Sequence, residues 1–166
     1  ELDNALAETA EGRVGKLEDQ DSANEIEVQS RGLSLENQNG AVFFFAPWCD
    51  WYLKEIRPDV SENCIAGQKL TNELYAKYPD VVWQGISNRL WTGEKELSEY
   101  IEKYKVPFSL DIDISNELHV KYKIRDFPTL IVFRNGKEEF RSSNFADGGK
   151  IDAVLRGIFS AGVAKE

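Results

Sequence analysis

The stretch Ala41-Val42-Phe43-Phe44-Phe45-Ala46-Pro47-Trp48-Cys49-Asp50-Trp51-Tyr52 decides how the rest of the chain is read. Six consecutive apolar residues, Ala41 to Ala46, have the look of a strand buried on both faces, as in a sheet covered by helices. Pro47 ends the strand because it has no N–H to give to a ladder, and the residues after it open a helical segment. A thiol between a strand and a helix N-terminus lies near unpaired backbone N–H groups and the positive end of the helix dipole. That setting favours the nucleophilic thiolate. Cys49 is therefore the first candidate for chemistry, and a structural cysteine packed behind a strand is the bland alternative.

Working outward, Glu25-Ile26-Glu27-Val28-Gln29 alternates like a strand, while residues 1–23 are rich in Ala, Glu and Asp with few sizeable apolar residues. The division expected is an acidic, partly helical lead-in over 1–23 and one folded domain over 24–166. Downstream, Ile65, Leu70, Leu74, Tyr75 and Tyr78 fit one face of a helix that Pro79 stops. Residues 81–87 form a strand, and Thr92 is the expected N-cap of a helix carrying Leu97, Tyr100, Ile101 and Tyr104. Then come a strand over 108–112, a short helix over 116–122 and a strand over 129–133. Asn135-Gly136 is a two-residue hairpin signal leading into 138–141, and a last helix runs over 149–159. Strands alternating with helices, closed by a hairpin, predict an α/β fold with crossover connections and one antiparallel edge.

The bulk numbers agree with one soluble domain. The chain has 166 residues, 42% of them hydrophobic and 11% aromatic, enough for a real core. Twenty basic residues against 29 acidic ones give a net charge of -9, which argues against a nucleic-acid backbone or an anionic membrane surface as partner. The sequence starts at Glu1 and has no methionine, so removal of an upstream signal peptide or anchor is expected. With two cysteines, composition leaves open one disulfide or two thiols.

The motifs resemble the thioredoxin-like superfamily. Phe43-Phe44-Phe45-Ala46-Pro47-Trp48-Cys49 is similar to its active-site strand, Phe127-Pro128-Thr129-Leu130-Ile131-Val132-Phe133 to its cis-proline strand, and Asn135-Gly136-Lys137 to the hairpin that follows. The segment between the motifs, with Gly85-Ile86-Ser87 and Asp111-Ile112-Asp113, resembles the strand-helix insertion of the TlpA and ResA group. The resemblance spans about residues 25–160. It implies a thioredoxin fold with a central mixed sheet flanked by helices, and thiol-disulfide exchange in a periplasmic or other extracytoplasmic compartment. It also implies a cis Phe127-Pro128 bond facing Cys49, with Trp48, Trp51, Tyr52, Phe127 and Pro128 forming the substrate groove. Partners would be protein or small-molecule thiols and disulfides, and no cofactor is implied.

The departure from that pattern is Tyr52, which stands where the family carries its second cysteine. Cys64, fifteen positions after Cys49, is the remaining sulfur. On one straight helix the two would be ~22 Å apart, far beyond the ~4.4–6.8 Å between bridged α-carbons. Pro58 argues against a straight helix, and a loop around Arg57-Pro58-Asp59-Val60-Ser61 could fold back to bring Cys64 beneath Cys49. A Cys49–Cys64 disulfide and two separate thiols both stay open. So do two functions: an atypical oxidoreductase with Cys49 as exposed nucleophile and Cys64 as resolving partner, and a non-catalytic binding module held by a structural bridge. Peroxidase chemistry is weaker, because Ala46 occupies the place of the threonine or serine that thioredoxin-like peroxidases require. Lys54 and Glu55 read as a solvated face, and Arg57 as one half of a local ion pair. Glu94 and Glu96 have no direction fixed by the sequence. His119 reads as a surface or partly buried helix residue rather than a metal ligand, since Leu53 stands where Sco-type copper proteins place their second cysteine.

Overall fold

The computed structural model describes Leu35 and residues 37–163, with side chains through Ser160. The strand expected over 25–29 and the lead-in over 1–23 lie outside the described residues. Within them the elements are β1 (Gly40–Phe45), α1 (Cys49–Tyr52), α2 (Pro58–Lys77), β2 (Val82–Ser87), α3 (Glu94–Tyr104), β3 (Ser109–Ile112), α4 (Glu117–Lys121), β4 (Thr129–Arg134), β5 (Lys137–Ser142) and α5 (Gly148–Val163). The sheet order is β3-β2-β1-β4-β5. β1 pairs parallel with β2 and β2 with β3, whereas β4 runs antiparallel to both β1 and β5. This is the mixed sheet of a thioredoxin fold, with α3 and β3 as the inserted unit ahead of the cis-proline strand.

β1 is central and every one of its residues is buried. Successive side chains point to opposite faces of a strand, so the run of phenylalanines divides between two cores. Ala41, Phe43 and Phe45 pack with Leu74 of α2, Tyr100 of α3 and Leu155 of α5; Val42 and Phe44 pack on the other face with Ile86, Leu118 of α4 and Ile131. Each buried phenylalanine contributes about 1.5–3 kcal/mol relative to an exposed one. β1 is therefore a rigid platform for whatever follows it. At Asn135-Gly136 both residues have positive φ, 52° and 79°, the geometry of the expected two-residue hairpin turn.

One local expectation is widened and one corrected. Leu74 of α2 is in the core, with Leu70, Tyr75 and Tyr78 packed half-buried against it, while Ile65 is half-buried; the inward face also takes in Ser61, Cys64, Gly67, Gln68 and Thr71. The apolar pattern leaves out the polar inner residues, which satisfy their own groups: Thr71 Oγ1 donates to the Gly67 carbonyl at 2.7 Å, and Gln68 Oε1 accepts from Tyr100 Oη at 2.7 Å. The N-cap of α3 is Gly93 rather than Thr92. The Gly93 N–H donates to Glu96 Oε2 at 2.9 Å, so Glu96 at the third helical position serves the backbone of its own helix.

Candidate active site

β1 delivers the chain at Ala46 to a tight turn, where the Cys49 N–H donates to the Ala46 carbonyl at 3.1 Å. The helix that begins at Cys49 lasts only one turn, Cys49–Tyr52, and Leu53–Arg57 carry the chain around to α2. The break thus precedes Pro58, and the loop expected around Arg57–Ser61 is replaced by the start of α2. Proline is favoured at a first helical position, where its missing N–H has no partner to lose. The reversal is pinned by the Arg57 N–H on the Leu53 carbonyl, 2.7 Å, and by Ser61 Oγ on the Asp50 carbonyl, 2.5 Å, a buried bond between α2 and α1. Cys64, on the second turn of α2, then faces Cys49, and the two form a disulfide with α-carbons 6.3 Å apart.

The bridge sits in a small apolar cluster of Ala46, Cys49 and Cys64, flanked by Trp48, Leu53, Val60 and Phe127. The Phe127-Pro128 bond is cis, as the resemblance implies. The Phe127 carbonyl lies 3.6 Å from Cys64 Sγ, and the Val60 carbonyl 3.9 Å from Cys49 Sγ. With both sulfurs bonded to each other these are packing contacts; on reduction each carbonyl becomes an acceptor for a thiol proton. Pro128 is buried against α2 at Gly67, where an added Cβ would stand 2.7 Å from Pro128 Cγ. Glycine is required there by close approach.

A groove of about 930 Å³ runs over the site, lined by Trp48, Cys49, Val60, Asn63, Phe127 and Ser143 among others. It brings together Trp48, Cys49 and Phe127 of the expected groove residues, with Cys64 behind them. Pro128 supports the groove without lining it. Cys49 contributes to its floor yet is only 1% exposed, against 8% for Cys64, so the expectation of an exposed Cys49 nucleophile is corrected. A single turn of four residues also carries little macrodipole to favour a Cys49 thiolate.

Trp51 and Tyr52 lie outside that groove, 62% and 43% exposed. Together with Trp48 they form an aromatic cluster that Phe127 and Trp91 also join, and Trp91 is the member that sequence reasoning missed. Its ring is 5.6 Å from that of Trp48 and 5.1 Å from that of Tyr52. Trp91 also has φ of 51°, a left-handed conformation costly for a bulky residue, of order 1–3 kcal/mol. The available signal was an apolar Leu90-Trp91 pair standing in a segment otherwise read as a loop.

Asp50 was likewise passed over. It is buried beside the bridge, and its Oδ2 accepts from Lys103 Nζ at 2.6 Å and from Tyr104 Oη. Burial, then the hydrogen bond and the charge of Asp50, push the Tyr104 hydroxyl up, which keeps it a donor. Lys54 and Glu55 are exposed, and Arg57 pairs with Asp59 at 3.4 Å, both as expected. His119 is buried rather than surface-facing, with Nδ1 2.7 Å from Asp113 Oδ2 and its ring edge-on to Phe44 and Phe127. Among the described residues no group of His, Cys, Asp and Glu is placed to hold a metal ion.

No family model and no curated protein matches the chain. Solved structures do. A secreted Mycobacterium tuberculosis disulfide oxidoreductase homologous to E. coli DsbE is 17% identical with a TM-score of 0.60, over 75% of this chain and 84% of that one. An exposed lipoprotein thioredoxin of Streptococcus pneumoniae is 21% identical with a TM-score of 0.56, over 75% and 89%. A thiol-disulfide oxidoreductase from Bacteroides fragilis is 24% identical with a TM-score of 0.53, over 74% and 82%. At these identities the likeness establishes architecture, and the described part of the chain has the thioredoxin fold.

Proposed function

We propose that residues 24–166 form an atypical thiol-disulfide oxidoreductase of an extracytoplasmic compartment, working through a Cys49–Cys64 bridge in place of the usual two cysteines three positions apart. The observation that carries this reading is the disulfide at the floor of a groove walled by Trp48 and Phe127, where Phe127 precedes a cis proline. A partner thiolate attacks one bridge sulfur, the Cys49–Cys64 bond breaks, and the other sulfur leaves as a thiolate. A second partner thiolate then attacks the mixed disulfide, so the partner ends oxidised by two electrons and both cysteines end reduced. The reverse sequence reduces a partner disulfide. Like folds that are secreted or surface-exposed support the compartment.

A second reading, a binding module with an inert bridge, is favoured by the 1% exposure of Cys49. Equilibrating the protein in dithiothreitol redox buffers, followed by alkylation and mass measurement, separates the two. An exchanging bridge has a potential well above about -300 mV, and a value below that supports the inert module.

A further inference from the structure

Beside the disulfide groove, on the other side of Trp48, lies a second depression of about 310 Å³. Trp48, Trp51 and Trp91 supply aromatic walls, and Asp50, Glu96 and Glu99 supply three carboxylates against the single ammonium of Lys103. Lys103 is already engaged by Asp50 Oδ2. Asp50 Oδ1 has no hydrogen-bond partner among the described residues, although the Asp50 side chain is only 4% exposed. A buried carboxylate oxygen without a donor is costly, and in a depression open to solvent it is a place for a donor brought by a ligand. The buried indole N–H of Trp48 is also without an acceptor. The depression therefore combines an unpartnered carboxylate oxygen on Asp50, three indole walls and an excess of negative charge.

From this geometry we propose that the depression receives the side chain of a lysine or arginine of a bound polypeptide. The alkyl stem of such a residue lies along indole faces while its charged head meets the rings and the carboxylates. The head donates to Asp50 Oδ1. Cys49 stands between Trp48 and Asp50 in the sequence, and Trp48 lines both depressions, so an extended chain crossing Trp48 places a cation in one and a sulfur in the other. The inference names the substrate class of the exchange reaction proposed above and rests on that reading: polypeptides with a basic residue near the reacting cysteine.

Intrinsic fluorescence of the oxidised protein, titrated with two cysteine-free peptides identical except for Lys in one and norleucine in the other, tests this without any redox step. The lysine peptide should bind about fivefold more tightly, the scale of a cation held at an aromatic face. That preference should vanish in Glu99→Gln and in Trp91→Leu and persist in Glu73→Gln, which removes an exposed charge outside both depressions. Glu99 is exposed, so its substitution leaves the fold intact if Trp91→Leu does not. Equal affinity for the two peptides, or a preference that survives Glu99→Gln, overturns the proposal. Binding of n-butylammonium as tight as that of the lysine peptide overturns the assignment to a polypeptide and marks a free-amine site. Because the peptides carry no thiol, an inert bridge in the redox titration leaves this result unaffected, and the two failures are told apart.

Discussion

Reducing the Cys49–Cys64 bond should lower the stability of the domain by about 3 kcal/mol. Fifteen positions separate the two cysteines, and a cross-link of that span removes roughly this much loop-closure free energy from the unfolded chain. Reduction is a cleaner perturbation than mutation. It deletes a bond but no heavy atoms, so both sulfurs stay within the cluster of Ala46, Leu53, Val60 and Phe127. Replacing both cysteines by alanine adds a packing defect to the lost link and must cost more. With a urea m-value of about 2 kcal/mol per M, the reduced protein should unfold at a midpoint about 1.5 M lower than the oxidised one. The same quantity appears a second way. The thermodynamic cycle linking folding to disulfide formation requires the bridge in the folded protein to be about 65 mV more reducing than the same pair in the unfolded chain. Urea titrations of both forms, followed by tryptophan fluorescence, give the first number; redox equilibration with and without denaturant gives the second. Coincident urea midpoints, or equal potentials in folded and unfolded protein, would refute the reasoning.

Gly67→Ala should destabilise by about 1–3 kcal/mol, since its Cβ must push against Pro128 Cγ at 2.7 Å and Phe145 Cδ2 at 3.1 Å. Calorimetry showing an unchanged melting temperature would contradict the packing of α2 on the cis-proline strand. Burial raises the Asp113 carboxyl, but the His119 ring and the amides of His119 and Leu118 outweigh it and hold the group below its ordinary 3.8. A lowered carboxyl contributes stability that is present above the ordinary value and lost as pH falls through the lowered one. Melting temperature should therefore fall more steeply below pH 3.8 in the native protein than in Asp113→Asn, which should itself be weaker at neutral pH by about 2–3 kcal/mol. Parallel acid limbs for the two proteins would remove Asp113 from the account.

What the sequence disclosed and what it concealed follow from the range of the interactions involved. β1, the hairpin turn and the cis-proline strand are local signals: a run of apolar residues, an Asn-Gly pair, a proline after phenylalanine. The inner face of α2 was concealed because Ser61, Gln68 and Thr71 are polar residues that become inward-facing only through partners on α1, α3 and their own helix. Trp91 was concealed for a related reason. Nothing within its own loop identifies it, and its meaning comes from rings 43 and 39 positions earlier, at Trp48 and Tyr52. Nothing near Asp50 in the sequence marks it, because its partners, Lys103 and Tyr104, are more than fifty positions away. The Cys49–Cys64 pairing lay between these cases. Pro58 announced a break, but the side of the proline on which the chain turns depends on helix-start chemistry, and the turn falls at Leu53–Arg57.

Moving the second sulfur from the motif to α2 changes what controls reactivity. With two cysteines on one helix turn, an exposed sulfur at the helix start can be attacked without disturbing the fold. Here the bridge ties α1 to α2 across a reversal, and Cys49 is 1% exposed while Cys64 is 8% exposed. Cys49 shows the groove very little of its surface, and rates of exchange depend on access as well as on thiol pKa. On the exchange reading, access comes from opening of the Leu53–Arg57 connection, which is held by the Arg57 N–H on the Leu53 carbonyl, by the Val60 and Ser61 N–H groups on the Arg57 carbonyl, and by Ser61 Oγ on the Asp50 carbonyl. Such a segment, largely exposed and with few buried apolar contacts, belongs to the part of a fold that opens at low free energy. On the exchange reading proposed above, attack on the bridge is therefore expected to be gated by a local opening. Ser61→Ala, which deletes the side-chain tie between α2 and α1, separates gating from chemistry because it should speed reaction of the bridge with a thiol while leaving its potential nearly unchanged.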